Sequence, residues 1–519
     1  MVHTPGVSRE HRLLVLVVVV ALAVRLWAVG FALPHYVHPD EPLIVERAKR
    51  IVDQVELNPH WFNYPVLYLY VETVVIGATR AIATRVAATM PTDPQMLTIL
   101  YTAGRCTTAV AGTASVVVAH LAARRLWGPT AGLAAATVLA LSFGHVQQSQ
   151  YIKPDVPAAL FVALCLWLAA GGVTGGGRRW LVASGIAAGL AAATKYNAGL
   201  CLLLPLTAWA VARDRDADLD LGAPVLIAVA AALAFVMAMP WVVLDPHAVM
   251  RDVLQEMAHY RHGQFGAEGD DNWRYYLRYL WSEGLTPPLA LLALFGWILL
   301  ALREPRRWLM LSSFPLAYYA LLAGVRVRFA RNLMPVMPLL AVVAGYGAAA
   351  LIALLVARRV RPLATATAVG LVLVWPAARI AVYDHFMVRP DTFRHAAAWL
   401  AANEPAGTTI CSEIFPRDLW DPRFTIVEVG ALSAHPLTFY PERGCDLVVA
   451  VSYMYRPALR DPALYPEMAA FYHEVFERWP LVAEFHYTDS TLATALAGEE
   501  FEVYDPVIRV HRVPAAGTN

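Results

Sequence analysis

The segment "HPDEP" (38–42) sets two carboxylates, Asp40 and Glu41, directly behind a long apolar run. A carboxylate there can act as a general base on a hydroxyl or an amine if its position suits. Further along, charges interrupt apolar sequence at Arg105, at Lys153 and Asp155 in "QYIKPDVP", at Lys195, and at Arg328 and Arg331 in "RVRFARN". Guanidinium groups pair with phosphate oxygens bidentately and lysine acts as a point charge, so these cations could hold a phosphate. A base together with phosphate clamps is the chemistry of transfer from a phosphorylated donor. A nucleotide donor would call for a Gly-rich phosphate loop, and none is visible. A lipid phosphate, its tail held in a bilayer, suits the apolar surroundings better.

Each piece also has a plainer reading. Asp40 ahead of Glu41-Pro42 fits a helix N-cap with proline near the first turn. Lys153 and Asp155 could form an exposed ion pair of little energetic weight. The arginines of "VRVRFARN" could snorkel as interfacial anchors, and Lys195 could do the same from a turn. His259 and His262 in "HYRHGQFG" have helical spacing, which fits a polar loop or a metal site.

Composition says what scaffold must position these groups. The chain has 519 residues, 58% hydrophobic and 16% charged, against about 25% charged in a soluble domain. A formal net charge of +1 gives no field suited to nucleic acid. Apolar runs of spanning length recur at 11–33, 98–122, 129–146, 156–173, 179–194, 197–212, 222–244, 286–302, 308–324, 332–356 and 363–382, about eleven in all. The first run is longer than a leader's apolar core of about 7–15 residues and lacks a small-x-small cleavage site, so it reads as a span.

Segment 61–90 is ambiguous, because Glu72, Arg80 and Arg85 interrupt it. We read it as a helix lying in the interface. With the N-terminus cytoplasmic, five inside loops then carry Arg124 and Arg125; Arg178 and Arg179; Arg213 and Arg215; Arg303, Arg306 and Arg307; and Arg358, Arg359 and Arg361. The positive-inside rule asks for this distribution. Asp40, Glu41, residues 148–157, Lys195, loop 245–285 and 326–332 then share the outer face, where edge charges are normally functional.

After residue 382 the chain turns polar. Residues 1–382 read as the membrane module and 383–519 as an α/β domain outside the membrane, with "TFRHAAAWLAAN" as helix, "TTICSEIF" and "CDLVVAVSYMY" as strands, "YPEMAAFYHEVFERWPLVAEFHY" as helix then strand, and "DPVIRVHRV" as a closing strand. Tyr453, Tyr455, Phe471, Tyr472 and Trp479 could line an acceptor groove or fill a core. Cys411 and Cys445 could pair in an oxidising compartment, whereas Cys106, Cys165 and Cys201 read as small core residues.

Taken in order, "HPDEP", "NYPVLYLYV", Arg105 in "TAGRCTTAVAGTASVVVAHLAARRLWG", "SQYIKPDVPAALFVAL", "AGLAAATKYNAGLCLLLP", "YRHGQFGAEGDDNWRYYLRYL" and "RVRFARNLMPVMPLLAVVAG" resemble the glycosyltransferase family 39 lineage. That lineage includes the protein O-mannosyltransferases and is similar to the lipid A aminoarabinose transferases. The resemblance covers about residues 10–380 and implies an α-helical polytopic membrane protein of type C glycosyltransferase fold, with interfacial helices in its first outer loop. It also implies a polyprenyl-phosphate-linked sugar donor used on the outer face, with inversion. Asp40 falls on the family's first-loop acid, the general base, with Glu41 its companion. Arg105 falls on a phosphate-binding or site-organising arginine, Asp155 on the second-loop acid, and Lys153 where many relatives carry arginine. Lys195, Arg328 and Arg331 match recurrent basic positions, and Tyr64 and His262 are further site candidates. The chain departs where mannosyltransferases show a His-Pro-Pro-Leu stretch, and it lacks their β-trefoil, which puts protein mannosylation in question.

The expectation is therefore a cell-envelope glycosyltransferase integral to a prokaryotic plasma membrane, with site and tail domain extracytoplasmic. No cofactor is required, although a divalent metal on Asp40, Asp155 and His262 is possible. The acceptor could be a glycan, a lipid or a protein. The rival readings are a transporter or lipid flippase, which should show repeat symmetry and mid-membrane charges, and an oligosaccharide ligase.

Overall fold

The computed structural model describes residues 9–35, 38–86, 92–213, 219–269, 271–498, 501 and 505–514. Arg215, one of the loop arginines, lies outside them. The chain divides into two compact units: one holds most of the chain up to Ala381, and the other comprises Phe31–His38, Gln264–Gly266 and the chain from Val382.

The first unit is helical. Its helices are α1 (Arg9–Leu26), α2 (Glu41–Gln54), α3 (Val66–Val86), α4 (Asp93–Trp127), α5 (Pro129–Ala140), α6 (Phe143–Gln148), α7 (Asp155–Gly171), α8 (Arg178–Thr194), α9 (Leu203–Ala212), α10 (Ala223–Ala238), α11 (Trp241–Leu244), α12 (Pro246–His262), α13 (Asn272–Tyr279), α14 (Pro287–Arg303), α15 (Pro305–Ala323), α16 (Met337–Ala357) and α17 (Pro362–Met387). Among the described residues, Val66–Val86, Asp93–Trp127, Asp155–Gly176, Ala330–Ala357 and Pro362–Asn403 are long and apolar enough to cross a membrane, and Asn272–Gly284 with Pro287–Arg303 forms a sixth, bent by 117°.

Several expected spans are interrupted. The 129–146 run breaks after Leu141 into α5 and α6, and the 222–244 run breaks at Met239-Pro240 into α10 and α11. The 197–212 run opens with a 3₁₀ turn, Tyr196–Leu202, which leaves α9 ten residues. Such breaks leave backbone groups that only a protein-buried or wet environment tolerates at membrane depth, so they gather polar groups rather than lipid-facing ones. Segment 61–90 contains one 21-residue helix, α3, whose length and composition admit a crossing. Glu72 faces inward on it, beside Tyr68, Leu69 and Ile76. Ahead of it, α2 buries Glu41, Ile44, Val45, Ala48 and Ile51 on one face, the i, i+3, i+4 pattern of an amphipathic helix.

The core of the unit is built from small residues. Alanines of α4, α5, α7 and α8 pack with Leu139, Leu166, Leu181 and Phe314 in one buried cluster. Small side chains let helix backbones approach closely where the hydrophobic effect between helices is weak.

The second unit is an α/β layer structure. Strands β1 (Thr409–Glu413), β2 (Thr425–Gly430), β3 (Leu447–Val451), β4 (Leu481–Phe485) and β5 (Ile508–Arg512) form one sheet in the order β2-β1-β3-β5-β4. β1 pairs parallel with β2 and β3, and β5 pairs antiparallel with β3 and β4. All five residues of β3 are buried. Val448 and Ala450 enter one core with Cys411, Tyr455, Tyr472 and Trp479, while Leu447, Val449 and Val451 enter another with Phe393 and Ile410. This alternation is what a strand covered on both faces requires. Tyr455, Tyr472 and Trp479 are thus core residues. Tyr453 is the exposed one of the five aromatics, and Phe471 is partly buried. Cys411 and Cys445 form a disulfide with Cα atoms 5.8 Å apart.

Candidate active site

Asp40 occupies the N-cap position of α2, but its side chain makes no cap hydrogen bond. Its Oδ2 lies 3.2 Å from Arg331 Nη1 and 3.8 Å from Lys153 Nζ. The carboxylate is 21% exposed, whereas Glu41 beside it is fully buried, so of the two only Asp40 can meet a solvent-borne group. The N-cap expectation holds for position and fails for the bond; two cations have drawn the side chain away.

Glu41 has a different partner. Arg105 Nε and Nη2 donate to its two oxygens, each at 2.8 Å, and Arg105 Nη1 donates to the Val29 carbonyl at 3.0 Å. The backbone N–H of Ile152 donates to Glu41 Oε1 at 3.1 Å. This buried pair therefore ties the start of α2, the middle of α4 and the segment carrying Lys153 and Asp155. Gly104 makes the crossing possible, since a Cβ there would stand 2.7 Å from Ile152 Cδ1 and 2.8 Å from Glu72 Oε2.

Asp155, at the first turn of α7, is engaged by Lys195 Nζ, which also donates to Asn332 Oδ1 at 2.9 Å. Lys195 caps the C-terminus of α8 and is 6% exposed. Burial lowers its ammonium pKa from the ordinary value, and Asp155 opposes that shift. Asn332 and Arg331 both lie on the 3₁₀ turn Ala330–Val336. Asn332 Nδ2 lies 3.3 Å from the Tyr260 hydroxyl. Tyr64, in the loop before α3, stands in the field of Arg331, Asp40, Tyr260 and Asp155, and burial raises its phenol pKa. One cluster thus gathers Asp40, Tyr64, Lys153, Asp155, Lys195 and Arg331, together with Asn332 and Tyr260, which the sequence reading did not select.

Two predicted residues stand apart from it. Arg328 lies over the Tyr275 ring at 5.1 Å. His262 is exposed in the last turn of α12, its Nδ1 2.7 Å from the Ala258 carbonyl oxygen of the same helix. Asp40, Asp155 and His262 therefore do not form a metal cage: each aspartate faces cations, and among the described residues no three His, Cys, Asp or Glu side chains group as a metal site would require.

Among known proteins, residues 100–244 match the family model of dolichyl-phosphate-mannose-protein mannosyltransferase. ArnT from Cupriavidus metallidurans in the apo state aligns over 97% of this chain and 98% of its own, at 18% identity and a TM-score of 0.52. The same protein bound to undecaprenyl phosphate aligns with a TM-score of 0.51 over 96% and 97% of the two chains. The archaeal oligosaccharyltransferase AglB from Archaeoglobus fulgidus, in complex with an inhibitory peptide and a dolichol-phosphate, aligns over 93% of this chain and 73% of that one, at 12% identity and a TM-score of 0.51. No curated protein matches by sequence. The chain has the type C glycosyltransferase fold of these integral membrane proteins.

Proposed function

We propose that the protein transfers a sugar from a polyprenyl-phosphate donor to an acceptor with inversion, Asp40 serving as general base. The supporting observation is the placement of Asp40: partly open to solvent, not used to cap its helix, and held by Arg331 and Lys153. Those two cations, with Lys195 behind them, suit a phosphodiester. The acceptor hydroxyl or amine attacks C1, the bond from C1 to the phosphate oxygen breaks, and the proton passes to Asp40. The departing polyprenyl phosphate takes up negative charge where the cations already stand. Phosphate leaves without a general acid, so one carboxylate suffices. Glu41 and Arg105 act as positioning residues in this reading, and cations rather than a metal meet the phosphate charge. The relatives' bound undecaprenyl phosphate and dolichol-phosphate agree with a lipid-linked donor.

We further assign residues 1–382 as the catalytic module and 383–519 as an extracytoplasmic domain of a prokaryotic plasma-membrane enzyme. The arginine-rich loops and the Cys411–Cys445 disulfide support this sidedness. Native mass spectrometry of the detergent-purified protein tests the donor class. A retained polyprenyl phosphate, free or sugar-linked, that is lost in Arg331→Ala agrees with the reading; titration with undecaprenyl phosphate that finds no binding by the intact protein refutes it.

A further inference from the structure

One piece of the membrane-module sequence, Gln264–Gly266, folds with the tail domain. It is bounded by Gly263, which ends α12, and by Gly266, with φ values of +103° and +74° that residues bearing a side chain rarely adopt. A Cβ on Gly263 would also collide with the Glu268 carboxylate, so the chain leaves α12 and returns in one tight loop. At its tip the Phe265 ring packs edge-on against Tyr465, centroids 5.1 Å apart, and the Gly266 N–H donates to the Tyr465 hydroxyl at 3.2 Å. A Cβ on Gly266 would stand 3.2 Å from Pro457. Tyr465 precedes the helix Pro466–Arg478 and packs on the core that includes Val448 and Ala450 of β3. The loop tip is thus held by the sheet domain itself.

From Gly266 the backbone leads to Arg331. Arg328 N donates to the Ala267 carbonyl at 2.8 Å and Gly269 N to the Arg326 carbonyl at 3.2 Å, which pairs Glu268 with Val327 antiparallel. Arg326 N and Val327 N both donate to the Tyr260 carbonyl, at 3.0 and 3.2 Å, so the last turns of α12 grip the same segment. Next along the chain, Phe329 carries the Arg331 guanidinium 4.0 Å above its ring, and that guanidinium reaches Asp40 at 3.2 Å. An arginine on a fixed segment loses less freedom on meeting a phosphate than one on a mobile loop, and so binds it more tightly. Resting on the assignment of Arg331 to the donor phosphate, we infer that the tail domain positions that arginine. Phe265 and Tyr465 are positioning residues for donor binding, acting through the pairing of 267–269 with 326–328.

Titration of the full-length protein in nanodiscs with undecaprenyl phosphate is the test. Phe265→Ala should weaken binding about tenfold and Tyr465→Phe, which removes only the acceptor for Gly266, about threefold, with Phe265→Tyr close to wild type. In an Arg331→Gln background the same two substitutions should change affinity by less than about twofold, because residues that act through one group are not additive. Linkage requires the reverse effect as well: undecaprenyl phosphate should slow hydrogen exchange at the Gly266, Gly269 and Arg328 amides of the wild type, and less so in Tyr465→Phe. The β3 amides should stay equally protected in every variant, which separates a lost hold from a lost fold. Full affinity in both variants, an equal loss in the Arg331→Gln background, or amide exchange indifferent to the lipid overturns the inference. Unchanged binding in Arg331→Gln alone sinks the assignment on which it rests, and is read before either tail variant is made.

Discussion

The division of labour between Asp40 and Glu41 is the residue-scale feature that the sequence hid. Adjacent in the chain, they face different partners: Asp40 meets Arg331 and Lys153 at the open side, and Glu41 is locked onto Arg105. Removing one member of a buried pair strands the other charge, at a cost of about 3–5 kcal/mol. Arg105→Ala should therefore lower thermal stability and transfer together, whereas Arg331→Ala should weaken donor binding with the midpoint nearly unchanged. A melting curve beside a binding isotherm tells them apart; stable, active Arg105→Ala protein would contradict the positioning role. At the same scale, transfer should survive EDTA, because the aspartates that would ligate a metal face cations instead; loss of turnover restored by a divalent ion would overturn that. Asp40, Lys153, Asp155, Lys195 and Arg331 were legible because a charge in apolar sequence needs a reason. Asn332 and Tyr260 were not, because neutral polar and aromatic residues are common in any helical core.

At the scale of elements, breaks in otherwise apolar helices collect the chemistry. Lys195 sits where α8 gives way to a 3₁₀ turn, and Arg331 and Asn332 lie on another such turn ahead of α16. The apolar runs were readable from composition, but their interruptions depend on packing, as at Met239-Pro240, and hydropathy alone draws them as continuous spans. Helix α4 shows how close the fit is: with Gly104 against Ile152 and Glu72, Gly104→Val should push the 151–155 segment away and reduce transfer at least tenfold while the protein still inserts. Full activity in that variant would mean the α3–α4 crossing does not set the position of Lys153.

For the whole molecule, strands β1, β3 and β5 of the tail were readable in "TTICSEIF", "CDLVVAVSYMY" and "DPVIRVHRV", each an apolar or alternating run bounded by turn residues. β2 escaped notice because "TIVEVG" mixes exposed and buried positions without clean alternation. The sheet carries a pH signal at Glu413, which accepts from Leu432 N, Val451 N and the Tyr472 hydroxyl. Burial pushes its pKa up to about 7, and Asp505 likewise to about 6. A folded-state pKa above the unfolded one means the fold binds the proton more tightly. The contribution of Glu413 is full below its unfolded pKa of roughly 4.5 and is lost as pH rises toward 7, on the order of 3 kcal/mol. Protection factors of β3 amides in the full-length protein should fall over that window in wild type, and less in Glu413→Gln; a flat wild-type profile would contradict it. Sidedness has its own check: Cys411 and Cys445 should react with maleimide only after reduction, and a C-terminal reporter should be active outside the cytoplasm.

The most direct measurement is single-turnover transfer by Asp40→Asn in nanodiscs loaded with a polyprenyl-phosphate sugar and acceptor. We expect donor affinity within a few-fold of wild type and a rate of polyprenyl phosphate release reduced about 10²–10⁴-fold. Wild-type release by a properly folded Asp40→Asn protein would contradict the assignment of Asp40 as the base.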